Sequence, residues 1–113
     1  MEGKAMIDTK NIPPSLRKKG LREKLLKICE ENDVVFMAMF GSFVRGEQRK
    51  RSDVDLLIKF RKGSRKSLLD LIELQYKFRG AFKRKVDIGE IEALKKNVRN
   101  EILKSMKVIY AEG

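Results

Sequence analysis

The sequence predicts an α/β domain: a small mixed β-sheet with helices packed mainly on one of its faces. Three patterns carry that expectation. Val34-Val35-Phe36-Met37-Ala38-Met39-Phe40 is an unbroken apolar run, short enough to be a buried strand. Val54, Leu56, Ile58 and Phe60 alternate with Asp53, Asp55 and Leu57, the period of a second strand. Apolar residues also recur every three or four positions at Leu21, Leu25 and Ile28, at Leu71, Leu74, Phe78 and Phe82, and at Ile91, Leu94, Val98 and Ile102. That is the spacing of helices that bury one side.

Taken in order, residues 1 to 14 show no regular period and end in Pro13-Pro14, which interrupts backbone hydrogen bonding. They are expected to be irregular or to lie along an edge. Ser15 can cap a helix that runs to about Glu31, or the helix starts nearer Leu21 because Gly20 weakens its first half. Asn32-Asp33 turns the chain into the first apolar strand. Gly41-Ser42 should open a short helix that Gly46 closes, followed by the polar loop Glu47-Gln48-Arg49-Lys50-Arg51. After the second strand, Ser67 and Asp70 have the spacing of a capping box, and Gly80 should end or loosen the helix they begin. Lys85 to Ile88 reads as a third strand closed by Gly89. Sequential strands are usually neighbours, so it should return beside the Asp53 strand. Asn97 should divide the last helical run, and Val108-Ile109-Tyr110 should form a short final strand. The expected division is an N-terminal extension at 1–19 and one domain over 20–113.

Composition narrows the function. A chain of 113 residues is one domain by length. No apolar run approaches the roughly 20 residues that span a bilayer. The first residues lack the apolar core of a signal peptide, and one cysteine permits no internal disulfide, so a cytoplasmic protein without membrane attachment is expected. Lys and Arg number 27 against 16 acids, a formal charge of +11. Such a balance draws in polyanions, whether nucleic acid, a nucleoside triphosphate or an acidic protein, and it also serves simple solubility. The absence of histidine removes Ser-His-Asp chemistry and imidazole-ligated zinc.

One constellation carries chemistry. Asp53 and Asp55 sit two apart on a strand and therefore project from the same face. Paired carboxylates repel unless a cation lies between them, and Mg²⁺ suits oxygen ligands shared with a phosphate-bearing substrate. Upstream, Gly41 permits close approach of a phosphate and Ser42 adds a hydroxyl donor. Alone, Gly-Ser is an ordinary strand-to-helix turn; the acid pair downstream gives it weight. Arg45, Arg49, Lys50 and Arg51 could meet phosphate oxygens, while Arg45 could equally brace the fold through a carboxylate.

The order Gly41-Ser42, Arg45-Gly46, then Ser52-Asp53-Val54-Asp55 resembles the minimal nucleotidyltransferases of the DNA polymerase β-like superfamily, over roughly residues 20 to 110. The resemblance implies a polymerase β palm-like fold and a third carboxylate on a neighbouring strand, a position that Asp87 fills. It implies Asp53, Asp55 and Asp87 as catalytic residues and ligands of two Mg²⁺ ions, with Gly41, Ser42, Arg45 and Ser52 on the nucleotide. ATP would donate AMP to a hydroxyl and release pyrophosphate. Minimal proteins of this kind often act as the antitoxin to a HEPN-domain toxin, and the resemblance implies AMP transfer to a toxin tyrosine. Two other readings stand beside it. One is a module that binds nucleotide or masks a partner without transfer. The other is a basic protein that binds nucleic acid non-specifically, although no recognition motif supports sequence readout.

Overall fold

The computed structural model of the chain describes residues 5–47, 49 and 52–112. Five strands make one sheet in the order β1-β5-β2-β3-β4, where β1 is Ala5–Ile7, β2 Val34–Phe40, β3 Val54–Phe60, β4 Val86–Glu90 and β5 Lys107–Glu112. Only β3 and β4 run parallel; the other neighbours are antiparallel, so the sheet is mixed as expected. Parallel neighbours need a crossover, and the helix α3 (Leu68–Phe82) supplies it. The remaining helices are α1 (Leu21–Glu31), α2 (Ser42–Arg45) and α4 (Lys96–Ser105).

The core lies where α1 and α3 cover one face. Leu21, Leu25 and Cys29 of α1, with Leu74, Phe78 and Phe82 of α3, pack against Met37, Met39, Leu56, Ile58 and Val86. Burying each large side chain contributes about 1.5–3 kcal/mol, which is why the helical stripes point here. Antiparallel partners share a face, so the pairs Phe36–Lys59, Ala38–Leu57 and Phe40–Asp55 define the other one. On that side Leu103 of α4 and Met106 line a groove with Phe36, Lys59 and Ala111. Burial pushes the Cys29 thiol up to about 12, so it is an inert core group.

Two open alternatives resolve, to edge packing of the N-terminus and to a helix start at Leu21, and three local expectations are corrected. The N-terminal segment is not wholly irregular: β1 pairs with β5, matching Met6 to Ala111, and Ile12 and Leu16 enter the core. Ser15 does not cap α1 but lies in a 3₁₀ turn (Pro14–Leu16); the helix begins after Gly20, whose φ of +78° breaks the run. The third helix runs through Gly80, because Ala81 and Phe82, the next two residues, are buried, and ends at Lys83 with φ +58°. Gly89 lies inside β4, paired with Leu57, instead of closing the strand. The last helical run is interrupted before Asn97, at Leu94-Lys95, between a 3₁₀ turn (Ile91–Ala93) and α4. The capping box of Ser67 and Asp70 is present in both directions.

Candidate active site

The sheet brings the three aspartates to one edge of one face. Asp53 immediately precedes β3, Asp55 is its second residue, and Asp87 is the second residue of β4. The parallel register sets Asp55 directly beside Asp87. Asp53 and Asp55 share a face by alternation, and Asp53 and Asp87 both lie within electrostatic reach of Asp55. Burial first, then the charges of Asp87 and Asp53, raise the Asp55 carboxyl above the ordinary carboxylate range, and Arg45 partly opposes the shift. Among the described residues Asp53 pairs with Lys85, whose Nζ lies 4.0 Å from Oδ2. Among the described residues these acids are under-compensated, an arrangement that suits a bound cation.

Gly41 is joined to this cluster by contact. It leaves β2 with φ +81° and ψ −152°, a conformation open essentially to glycine. A Cβ there would overlap Asp55 Oδ2 and lie 3.2 Å from Asp55 Cγ. Glycine therefore serves two needs, a sharp exit from the strand and room for the carboxylate. Ser42 starts α2, and Gly46 ends it at φ +72°. The first N–H groups of a helix lack carbonyl partners, so this turn offers donors next to the acids.

The other predicted site residues divide. Arg45 donates from Nε to Glu47 Oε1 at 2.7 Å, so of its two expected roles the bracing one is visible. Ser52 ties the loop together: its Oγ accepts from the Arg49 N–H at 2.6 Å, and its carbonyl accepts from Arg84 Nη1 at 3.0 Å. Lys50 and Arg51 lie outside the described residues. Sequence reading missed Arg84, whose guanidinium also stands 5.3 Å from the centroid of the Phe43 ring. It links the approach to β4 with α2, and nothing in Lys83-Arg84-Lys85 distinguishes it from its basic neighbours.

The donor set fits a hard divalent cation: carboxylate oxygens only, one partly desolvated beside two like charges. Among the described residues no three Asp, Glu, His or Cys side chains are gathered closely enough to hold a metal ion by themselves. Such an open set suits Mg²⁺, which keeps water and substrate oxygens among its ligands.

Comparison with known proteins gives the family and the fold. The family described as polymerase beta, nucleotidyltransferase matches residues 23–112. The chain is 33% identical over 108 residues to the protein adenylyltransferase MntA of Thermococcus cleftensis, covering 94% of this chain and 98% of that protein. It resembles a toxin–antitoxin crystal structure with AMP-PNP at a TM-score of 0.66 and 20% identity, covering 79% of this chain and 72% of that one. A complex of tri-AMPylated Shewanella oneidensis HEPN toxin with MNT antitoxin matches at a TM-score of 0.59 and 16% identity, covering 80% and 70%. At those identities the structural likeness speaks for the fold.

Proposed function

Since the chain belongs to the polymerase β nucleotidyltransferase family and is a nucleotidyltransferase, we propose that it transfers AMP from ATP to a tyrosine hydroxyl of a HEPN-domain toxin, as the antitoxin of a toxin–antitoxin pair. The observation that carries this reading is the contact of the Gly41 turn with an under-compensated carboxylate, Asp55, paired in register with Asp87. A phosphate-holding turn and a cluster of metal-ligating acids meet at one spot. The relative named as a protein adenylyltransferase supports a protein acceptor. The toxin partner follows from the motif resemblance, and the fold neighbours are themselves toxin–antitoxin assemblies.

In this mechanism Gly41 and Ser42 grip the outer phosphates of ATP, since phosphoryl and nucleotidyl transfer depend mainly on positioning and charge stabilisation. Asp53, Asp55 and Asp87 would hold Mg²⁺, which supplies charge stabilisation of attacking and leaving oxygens when bound. Asp87 is the exposed member of the trio on the edge strand. It would face the acceptor and take the hydroxyl proton as the oxygen bonds to the α-phosphorus and pyrophosphate leaves. Ser52 and Arg84 act by fixing the loop that leads into β3.

The test is intact-mass analysis of a candidate HEPN-domain protein after incubation with this chain, ATP and Mg²⁺. The expected result is a gain of one or more AMP masses on that protein. Unmodified toxin that is still neutralised, including by Asp53→Asn, would move the reading to masking without transfer.

A further inference from the structure

We infer that the paired helices α1 and α3 form a seat for the phosphate backbone of a polynucleotide. It lies on the face of the sheet opposite the acids and binds without reading bases. This surface goes beyond the transfer reading and does not rest on it.

The excess positive charge of the chain sits in two segments. Residues 17–27 and 77–85 hold 11 of the 27 Lys and Arg but only one of the 16 acids, Glu23. The rest of the chain is nearly balanced, with 16 cations against 15 acids. The fold brings the two segments together. Asp33, just past α1, meets Lys66, just before α3, at 3.1 Å, and Lys77 Nζ donates to Asn32 Oδ1 at 3.3 Å. The end of α1 therefore lies beside the start of α3, and the two helices pack antiparallel. Their acidic ends, Glu30 and Glu31 on α1 with Asp70 and Glu73 on α3, are thereby gathered at one end of the pair. The basic end is left to the other. Between the helices runs a groove of about 370 Å³, lined by Lys24 and Lys27 of α1 and by Lys77, Gly80 and Ala81 of α3. Glu31 is the one acid along it. Among the described residues Lys24, Lys27, Lys77 and Lys83 take part in no ion pair.

Side-chain chemistry names the occupant. Seven of the eleven cations are lysines, and neither segment exposes a large apolar side chain. Protein interfaces are depleted of lysine and anchored by buried aromatic residues, so an acidic protein has no anchor here. A helix that lies in a membrane surface inserts apolar side chains, which these segments keep in the core. A nucleic-acid backbone needs neither. It presents a continuous line of closely spaced charge, which cations on both walls of a groove can meet at once. With no exposed aromatic ring in the segments to stack a base, the seat suits a duplex more than a single strand. The basic surface ends at Lys83-Arg84-Lys85, where Arg84 holds the Ser52 carbonyl and Lys85 stands beside Asp53. It thus reaches the end of the sheet that carries the acids, while the face from which Asp55 projects stays open.

The test is fluorescence anisotropy with a labelled duplex of about 20 base pairs, offered as RNA and as DNA. The groove variant combines Lys24→Gln, Lys27→Gln and Lys77→Gln. A control of equal charge combines Lys62→Gln, Lys95→Gln and Lys96→Gln, outside the two segments. All six positions are exposed, and a melt checks the fold of each variant. The groove variant should bind at least about tenfold more weakly at low salt, and its slope of log K against log salt should flatten by roughly 3. The control should stay within about twofold of wild type. Scrambling the duplex sequence should change neither result. Saturating AMP-PNP with Mg²⁺ should leave the duplex bound. Equal loss in the two triple variants would reduce the effect to net charge and overturn the seat. So would polyglutamate or phosphatidylserine vesicles that bind the wild type as tightly as the duplex does. Displacement of the duplex by AMP-PNP would place it among the acids instead and would also overturn the seat. None of these readouts uses AMP transfer, so the transfer reading is decided separately.

Discussion

The two ends of β3 treat charge in opposite ways. At its far end Arg61 donates to both oxygens of Glu112 at 2.7 and 2.9 Å and lies 3.8 Å from Asp33, whose other oxygen meets Lys66 at 3.1 Å. There, Glu112 and Asp33 each have a cation, and the network stitches β3 to β5 and to the loop before α3. At the near end, one strand-length away, Asp53, Asp55 and Asp87 gather with a single weak ion pair among the described residues, from Lys85. Both ends belong to one strand in a protein rich in lysine and arginine, so the near end is not short of cations nearby. Its carboxylates are left under-compensated, which is the arrangement a site keeps when its cation arrives with a ligand.

Breaking the near end should therefore abolish chemistry and spare the fold. Asp55→Asn is expected to lower AMP transfer about 10³-fold, on the scale of removing a preorganised charge-stabilising group. A quench assay with labelled ATP measures it, and wild-type turnover would remove Asp55 from the mechanism. Gly41→Ala comes next. Its Cβ would overlap the Asp55 carboxylate in a backbone conformation foreign to alanine, so activity should fall about a hundredfold. Unlike Asp55→Asn it should also lower the melting temperature, because strain of this kind costs about 1–3 kcal/mol. Glu112→Gln at the far end should do the reverse of Asp55→Asn. Transfer stays unchanged, and the melting temperature drops by about 1–3 °C, since partly exposed ion pairs contribute little.

How much of this was legible depends on the signal each part needed. β2 and β3 were readable because an unbroken apolar run and a strict alternation are strong one-dimensional patterns, and their bounds emerged at Val34–Phe40 and Val54–Phe60. β1 was not, since Ala5-Met6-Ile7 is too short to show a period and is ordered by pairing with β5. Gly80 and Gly89 looked like stops but are carried through by burial of Phe82 and by pairing with Leu57, tertiary effects that no local rule contains. The acids were readable as spacing for Asp53 and Asp55, and Asp87 through the family resemblance and the helical return of its strand; the parallel register pairs it with Asp55. The role of Gly41 as the space for Asp55, and that of Arg84 as a loop tie, required coordinates.

The smallest expected effect gives the finest test of the contrast. In the metal-free protein the Asp55 carboxyl is raised by burial and by its acidic neighbours, so its ionised form is less favourable folded than unfolded. By linkage, a raised carboxyl destabilises the fold at pH values above its folded pKa, and the penalty fades as pH falls through that value toward the unfolded one. Asp55→Asn should then be slightly more stable than wild type at pH 7 without metal, by about 1 kcal/mol or less after solvent screening. The gain should shrink to nothing toward pH 4. Adding Mg²⁺ with AMP-PNP should reverse the order, because ligand binding stabilises only the chain that can hold it. Melting curves at pH 7 and pH 4, with and without Mg²⁺ and AMP-PNP, test both signs. An asparagine variant that is less stable than wild type in metal-free buffer at pH 7 would mean that the near end is compensated after all, and the distinction between the two ends of β3 would fail.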